Sequence, residues 1–299
     1  MKLPDLEELI VMRSVAHGLT LHAHAAARAL LLGSHRSAQR GRGLEFEEVR
    51  PYVAGDDPRN IDWRVTARRG RTHTKLFREE RERPVWLLVD LHPALFFGSR
   101  RQLKSALAVR AAALLVWTAV SSGDRVGAVV GGALGVRTSP PRSREAGALA
   151  VLHTLIDMQP RSPGAPNLQS FNAALHALTA MVHPGSLILF ISDFATANAE
   201  TEALMSRLAA HNECAMFWLT DQLESQALPS GRFRAGLPDR LWAIDGASAR
   251  ARWLRVWQER EARVNALANR FARTLTRLDT HESVEESLRP LLQARRPAA

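Results

Sequence analysis

VWLLVDL at residues 85–91 is an unbroken apolar run of strand length with an aspartate, Asp90, near its end. Such a run is the pattern of a strand covered on both faces, as in a parallel sheet, and not of a half-buried antiparallel strand. Outward from it, residues 101–120 read as a helix stopped at Ser122-Gly123-Asp124, and residues 125–130 as the next strand, so that one βαβ unit spans 85–130. Residues 133–137 can form a hairpin with that strand, and 144–158 and 168–182 read as helices. SLILFIS at 186–192 is a second buried strand, ending in Ser192-Asp193, and 200–211 and 214–220 are a further helix and strand. Right-handed crossovers between these strands predict an α/β, Rossmann-like, doubly wound and mostly parallel sheet whose ligands sit at the carboxyl ends of the strands. Past Asp221, a Pro/Gly loop and a short edge strand at 241–245 lead into a long helix, with Leu254, Trp257, Val264, Ala268, Phe271, Leu275 and Leu278 at three- and four-residue steps. Arg252, Arg260, Arg263, Arg270 and Arg277 fall mainly on its other faces and read as a solvated surface.

Before the α/β pattern, residues 5–32 place apolar side chains at helical spacing, while 33–83 are polar, Arg-rich and punctuated by Gly and Pro, with β-like pieces at 45–53 and 72–77. The expected organisation is an N-terminal helical segment and charged β module over 1–83, then the α/β domain with its long C-terminal helix over 84–299. Within the module, Gly55-Asp56-Asp57-Pro58 reads as a turn with Pro at a first helical position, where an aspartate caps free N–H groups. Asp56, Asp57 and Asp62 invite comparison with a two-metal hydrolase cluster. Arg50, Arg59, Arg64 and Arg68 lie close by, however, and favour an ion-pair network that orders a core-poor module. Tyr52, the only tyrosine, and Trp63 are expected as its apolar anchors against the α/β domain or, where exposed, as marks of an interface.

With 299 residues and 46% hydrophobic content the chain can bury a full core. Its longest apolar stretch, 106–120, is interrupted by Arg110 and falls short of the ~20 residues a bilayer span needs. Three acidic residues among the first eight argue against a secretory signal, so no membrane insertion and a cytoplasmic location are expected. A single cysteine, Cys214, excludes an intramolecular disulfide and reads as a core thiol. The formal charge of +10 suggests nucleic acid as a partner. Lysine occurs only at 2, 75 and 104, however, and the remaining basic residues are arginines in an alanine-rich chain, so a bias toward GC-rich codons explains the charge without a ligand. No Gly-x-Ser-x-Gly elbow and no Gly-x-x-x-x-Gly-Lys-Ser/Thr phosphate loop is present.

The segment GRGLEFEEVRPYVAGDDPRNIDWRVTARRGRTHTKLFREE (41–80), followed by the strand ending at Asp90, resembles the DUF58 family. Arg50, Tyr52, Asp56, Asp57, Arg59, Asp62, Trp63 and Arg68 carry the resemblance, with weaker agreement at Gly123 to Gly127, Ile191 to Phe194, Asp221 and Glu224. It implies a von Willebrand factor A-like domain in a protein that acts with a MoxR-type AAA+ ATPase, and with other von Willebrand A-domain proteins as further candidate partners. Such domains hold a divalent ion with an Asp-x-Ser-x-Ser loop, a threonine from a second loop and a later aspartate. Here the first loop reads Asp90-Leu91-His92-Pro93-Ala94, so both serine hydroxyls are lost, and the second aligns with Ala165-Pro166-Asn167-Leu168. Asp90, His92 and Asp193 are left as a degenerate site. Two carboxylates could still hold Mg²⁺ weakly, and the imidazole would suit Zn²⁺, but no cofactor is expected. The expected function is that of a non-enzymatic protein-binding adaptor or assembly cofactor, recognising its partner at Asp90, His92 and Asp193 and at the charged module. The rival reading is an Arg-rich nucleic-acid-binding protein, and the third a metal-dependent hydrolase.

Overall fold

The computed structural model describes residues 2–16, 19–21, 44–53, 56–79, 83–237, 240–288 and 292–294. The chain divides into two units, Ala29–Glu82 and Met1–Arg28 with Arg83–Ala299. The larger opens with helix α1 (Leu6–Ala16) and strand β1 (Leu19–Leu21). The smaller holds strand β2 (Leu44–Pro51), a 3-10 turn at Pro58–Asn60, helix α2 (Trp63–Arg69) and strand β3 (His73–Glu79), which pairs antiparallel with β2. The larger then resumes with β4 (Pro84–Leu91), α3 (Lys104–Ser121), β5 (Arg125–Gly132), β6 (Gly135–Arg142), α4 (Arg144–Met158), α5 (Ser170–Met181) and β7 (Leu187–Ser192). It continues through α6 (Ala199–Ala209), β8 (Glu213–Thr220), α7 (Gln222–Gln226), β9 (Arg232–Leu237), β10 (Arg240–Asp245), α8 (Gly246–Phe271), β11 (Thr274–Asp279), α9 (Val284–Leu288) and β12 (Leu292–Ala294).

Six strands form the central sheet in the order β11-β8-β7-β4-β5-β6, all parallel except β6, which returns as a hairpin on β5. The unbroken run of β4 follows from this position. Successive side chains of a strand point to opposite faces, and both faces are covered. Val85, Leu87, Val89 and Leu91 enter the core formed with α1, α3 and α4, whereas Trp86 and Leu88 enter the one formed with α5, α6 and α8. The chain leaves β4 toward β5 on one side and later takes up β7 on the other. The carboxyl ends of β4 and β7 therefore flank the topological switch point, where sheets of this kind place a site. Helix α3 is a described helix long and apolar enough to cross a membrane, and most of it is buried in the protein core.

Three elements differ from the expectation. Helix α1 belongs to the α/β unit and not to the charged module: Leu9, Met12 and Ala16 are buried in the α3–α4 core, and Trp117 Nε1 donates to the Leu9 carbonyl at 2.8 Å. The long helix ends at Phe271, and Leu275 and Leu278 lie on β11, beside β8. A three-residue step fits a helix or the two faces of a strand. The free edge of β8 decides between them, with Arg273 N donating to Cys214 O at 2.8 Å as the strand begins. Residues 241–245 pair with β9 in a separate two-stranded hairpin and not at the edge of the main sheet.

Candidate functional site at the carboxyl end of the sheet

Asp90 ends β4 with no exposed surface, and its carboxylate accepts from Ser192 Oγ at 3.0 Å and Ser170 Oγ at 3.3 Å. Asp193, just past β7, accepts from Ala195 N at 3.0 Å. Its other oxygen lies 2.8 Å from an Arg260 guanidinium nitrogen and 3.5 Å from Lys104 Nζ. Both cations also reach one oxygen of Glu224, Lys104 at 2.6 Å and Arg260 at 2.9 Å. His92 completes the group, with Nε2 at 3.5 Å from Asp193 and 3.9 Å from Asp90, contacts of an ion pair rather than well-formed hydrogen bonds. Beside them, Asp221 accepts from Ser99 N at 2.8 Å, Ser99 Oγ at 2.5 Å and Thr280 Oγ1, which latches the β4–α3 loop to β8 and β11.

Three carboxylates thus face an ammonium, a guanidinium and an imidazole in a nearly closed interior. Burial pushes the Asp90 carboxyl up to about 6, the charge of Asp193 adding to the rise while His92 and Ser192 oppose it. Burial would likewise raise Asp193, but Lys104, His92 and Arg260 outweigh it and hold that carboxyl well below the usual carboxylate range. For His92, burial works against the charged form, and the contact with Asp193 and the fields of Asp90 and Asp193 prevail, raising it above its ordinary 6.5.

These signs predict a pH profile. A proton bound more tightly by the native state stabilises it fully below the unfolded pKa, and that contribution is lost as pH rises through the folded pKa. For Asp90 the loss runs from 3.8 through about 6, and for His92 it lies above 6.5. Asp193 acts in the opposite sense, its contribution being present above 3.8 and lost below it. The unfolding free energy in urea is therefore expected to fall as pH rises from about 5 to about 8, with Asp90→Asn flattening the slope. Equal slopes in the two proteins would refute this assignment.

The donor set does not suit a divalent cation. Mg²⁺ demands oxygen ligands at about 2.0–2.1 Å in near-octahedral order, but Asp193 already sits between two organic cations, and the first loop offers an imidazole and a methyl group in place of hydroxyls. Among the described residues, no group of three or more His, Cys, Asp or Glu side chains is placed to hold a metal ion.

Fold and site together define an α/β protein with a doubly wound, mostly parallel sheet whose switch-point acids Asp193 and Glu224 are neutralised from within. The chain belongs to the family described as "Protein of unknown function DUF58", which it matches over residues 48–252. An uncharacterized protein of Mycobacterium tuberculosis and one of Mycobacterium bovis are each 33% identical over 165 residues, 55% of this chain and 51% of the relative. The chain thus spans about half the length of the curated relatives it matches. Among solved structures it is similar to an aerotolerance-related membrane protein from Bacteroides fragilis (TM-score 0.46, 14% identity, 70% of this chain and 96% of that one). It is also similar to the conserved hypothetical protein BatB from Bacteroides thetaiotaomicron (TM-score 0.42, 13% identity, 70% and 98%).

The structure brings Asp90, His92 and Asp193 together, yet buries them. A partner can touch the loops around them but not these side chains, which corrects the expectation of a recognition face built from the three. Lys104, Arg260 and Ser170 are the members that sequence reasoning missed, and Glu224 entered it only through the family resemblance. Arg260, assigned to a solvated face, lies on the same stripe as Trp257 and Val264, and its side chain is 14% exposed. That periodicity could have marked it as buried.

In the smaller unit, Asp57 accepts from Arg59 N at 3.0 Å and Asp62 from Arg64 N and Val65 N, so both cap short helices. Asp56 pairs with Arg50 at 2.7 Å and accepts from Val53 N, its backbone carbonyl accepts from the Tyr52 hydroxyl at 3.2 Å, and Asp62 lies 3.6 Å from Lys75. The expected network is smaller than the sequence implied: Arg59, Arg64 and Arg68 are exposed and form no ion pair with another described residue. Trp63, expected as an apolar anchor, is 70% exposed, because α2 presents its first residue outward while Val65 and Thr66 face inward.

Proposed function

We propose that this chain is a non-enzymatic protein-binding adaptor or assembly cofactor that acts with a MoxR-type AAA+ ATPase in the cytoplasm, with other von Willebrand A-domain proteins as further partners. The observation that carries the reading is the self-neutralised switch point. Asp193, Glu224, Lys104 and Arg260 are committed to one another, and Asp90 to the hydroxyls of Ser192 and Ser170. The end of the sheet where this class of fold meets its ligands is left with loops to offer, and loops suit recognition by packing and charge. The resemblance of the 41–80 motif supports the choice of ATPase, which would supply the energy that this chain, lacking a phosphate loop, has no means to draw from nucleotide. The test is affinity purification of the tagged chain from its own organism, followed by pull-down of the co-purifying ATPase with its nucleotide state held fixed. A MoxR-type ATPase is expected to come down and to stay bound in EDTA, because no metal bridges the two proteins. Its absence, or its loss in EDTA alone, would refute the reading.

A further inference from the structure

The loops around the sealed site have a character of their own. The β4–α3 loop, 92–103, and the α4–α5 loop, 159–169, contain no aspartate or glutamate. They carry Arg100, Arg101 and Arg161, all exposed and in no ion pair with another described residue. Phe97 (37% exposed) and Leu168 (68%) stand on the same loops. The two loops touch: a Cβ on Gly164 would lie 2.5 Å from Pro93 Cβ, so that only glycine allows this approach. The first loop is also held on either side of its arginines, by Ser99 on Asp221 and by Gln102 Nε2 donating to Glu282 O at 3.0 Å, so Arg100 and Arg101 sit on an ordered support. With the acids of this end paired below, the rim presents positive charge and two apolar side chains.

We infer that this rim, Phe97, Arg100, Arg101, Arg161 and Leu168, is a docking surface for an acidic segment of a partner protein that also bears apolar side chains. This rests on the protein-binding reading above and names the surface and the chemistry it selects. Charge complementarity argues for the occupant: three guanidiniums in no ion pair with a described residue, on loops with no Asp or Glu of their own, match a run of Asp and Glu and repel a basic one. Leu168 and Phe97 supply the apolar contact that makes such a site more than a counter-ion cloud. A nucleic acid fits less well. Strand binding needs open aromatic faces for bases to stack on, whereas the Phe97 ring has Lys104 Nζ lying 5.8 Å over its centroid, and Leu168, Pro163 and Pro166 have no π face.

The experiment uses the full chain and two probes, a fluorescein-labelled peptide of Asp, Glu and Leu and a single-stranded oligodeoxynucleotide of equal charge, alongside capture of the co-purified ATPase. The double variant Arg100→Glu/Arg101→Glu is compared with Arg252→Glu/Arg255→Glu, which makes the same charge change at exposed positions of α8, after both are shown to melt like the parent. The rim pair is expected to weaken peptide binding roughly tenfold to a hundredfold and to weaken ATPase capture, while the α8 pair changes neither by more than about twofold. Leu168→Ser is expected to weaken the peptide with no change in charge. The inference is overturned if the rim reversal leaves peptide binding intact, if both doubles weaken it equally, or if the oligonucleotide binds tighter than the peptide. ATPase capture that survives the rim reversal overturns the rim and leaves the adaptor standing. Peptide binding at the rim without any ATPase capture does the reverse.

Discussion

Replacing Lys104 by methionine is expected to destabilise the protein by roughly 3 kcal/mol, the lower part of the range for removing one partner from a buried ion pair. Methionine keeps the unbranched apolar stem, so the loss isolates the ammonium. Lys104 is 2% exposed and lies 2.6 Å from Glu224 and 3.5 Å from Asp193, so its removal takes a close counter-charge from both carboxylates, of which Asp193 at 8% exposure has little water to replace it. The upper part of the range is not expected, because Arg260 remains at 2.8 Å from Asp193 and 2.9 Å from Glu224 and leaves neither wholly unpaired. Urea unfolding followed by far-UV circular dichroism reads the change as a lower midpoint at unchanged slope. A loss below about 1 kcal/mol would mean that the ammonium is solvated and that the site is open.

Leu9→Ala is expected to cost about 2–5 kcal/mol, the range for a leucine truncated in a close-packed core. Leu9 has no exposed surface, and its carbonyl receives the Trp117 indole N–H of α3. The expected change is in the main unfolding transition, since α1 closes the α3–α4 face of the sheet. Were α1 part of a separately folding module, the α/β transition would keep its midpoint, and that outcome would return α1 to the N-terminal segment. The same measurement on Trp117→Phe, which removes the hydrogen bond and part of the ring, should show a smaller loss in the same transition.

Much of the architecture is legible in order along the chain. The apolar runs at 85–91 and 186–192 are buried strands because two-sided burial leaves no room for alternation, and a site aspartate lies within one residue of the end of each. Asp57 is a cap because a short carboxylate placed before a helix reaches its free N–H groups, whereas Asp62, read from the sequence as an ion-pair partner, caps a helix that the sequence reading did not expect. The family resemblance of residues 41–80 agrees with the match over 48–252. The C-terminal boundary was not legible. The steps that end in Leu275 and Leu278 fit helix or strand, and the choice rests on whether β8 has an open edge, which is a property of the assembled sheet.

The alternation of strands and helices, the cap at Asp57, the positions of Asp90 and Asp193 at strand ends, and the lack of hydroxyls in the loop after β4 are readable along the chain. These depend on a residue and its near neighbours, where the two-residue and 3.6-residue periods act. Only the tertiary structure decided the charge and accessibility of the site. Lys104 meets Asp193 across 89 residues and Glu224 across 120, and Arg260 reaches back 67 residues to Asp193. No local pattern encodes such pairings. They arise because buried carboxylates must find counter-charges when water is removed, and the folded helices α3 and α8 are what bring those charges within reach.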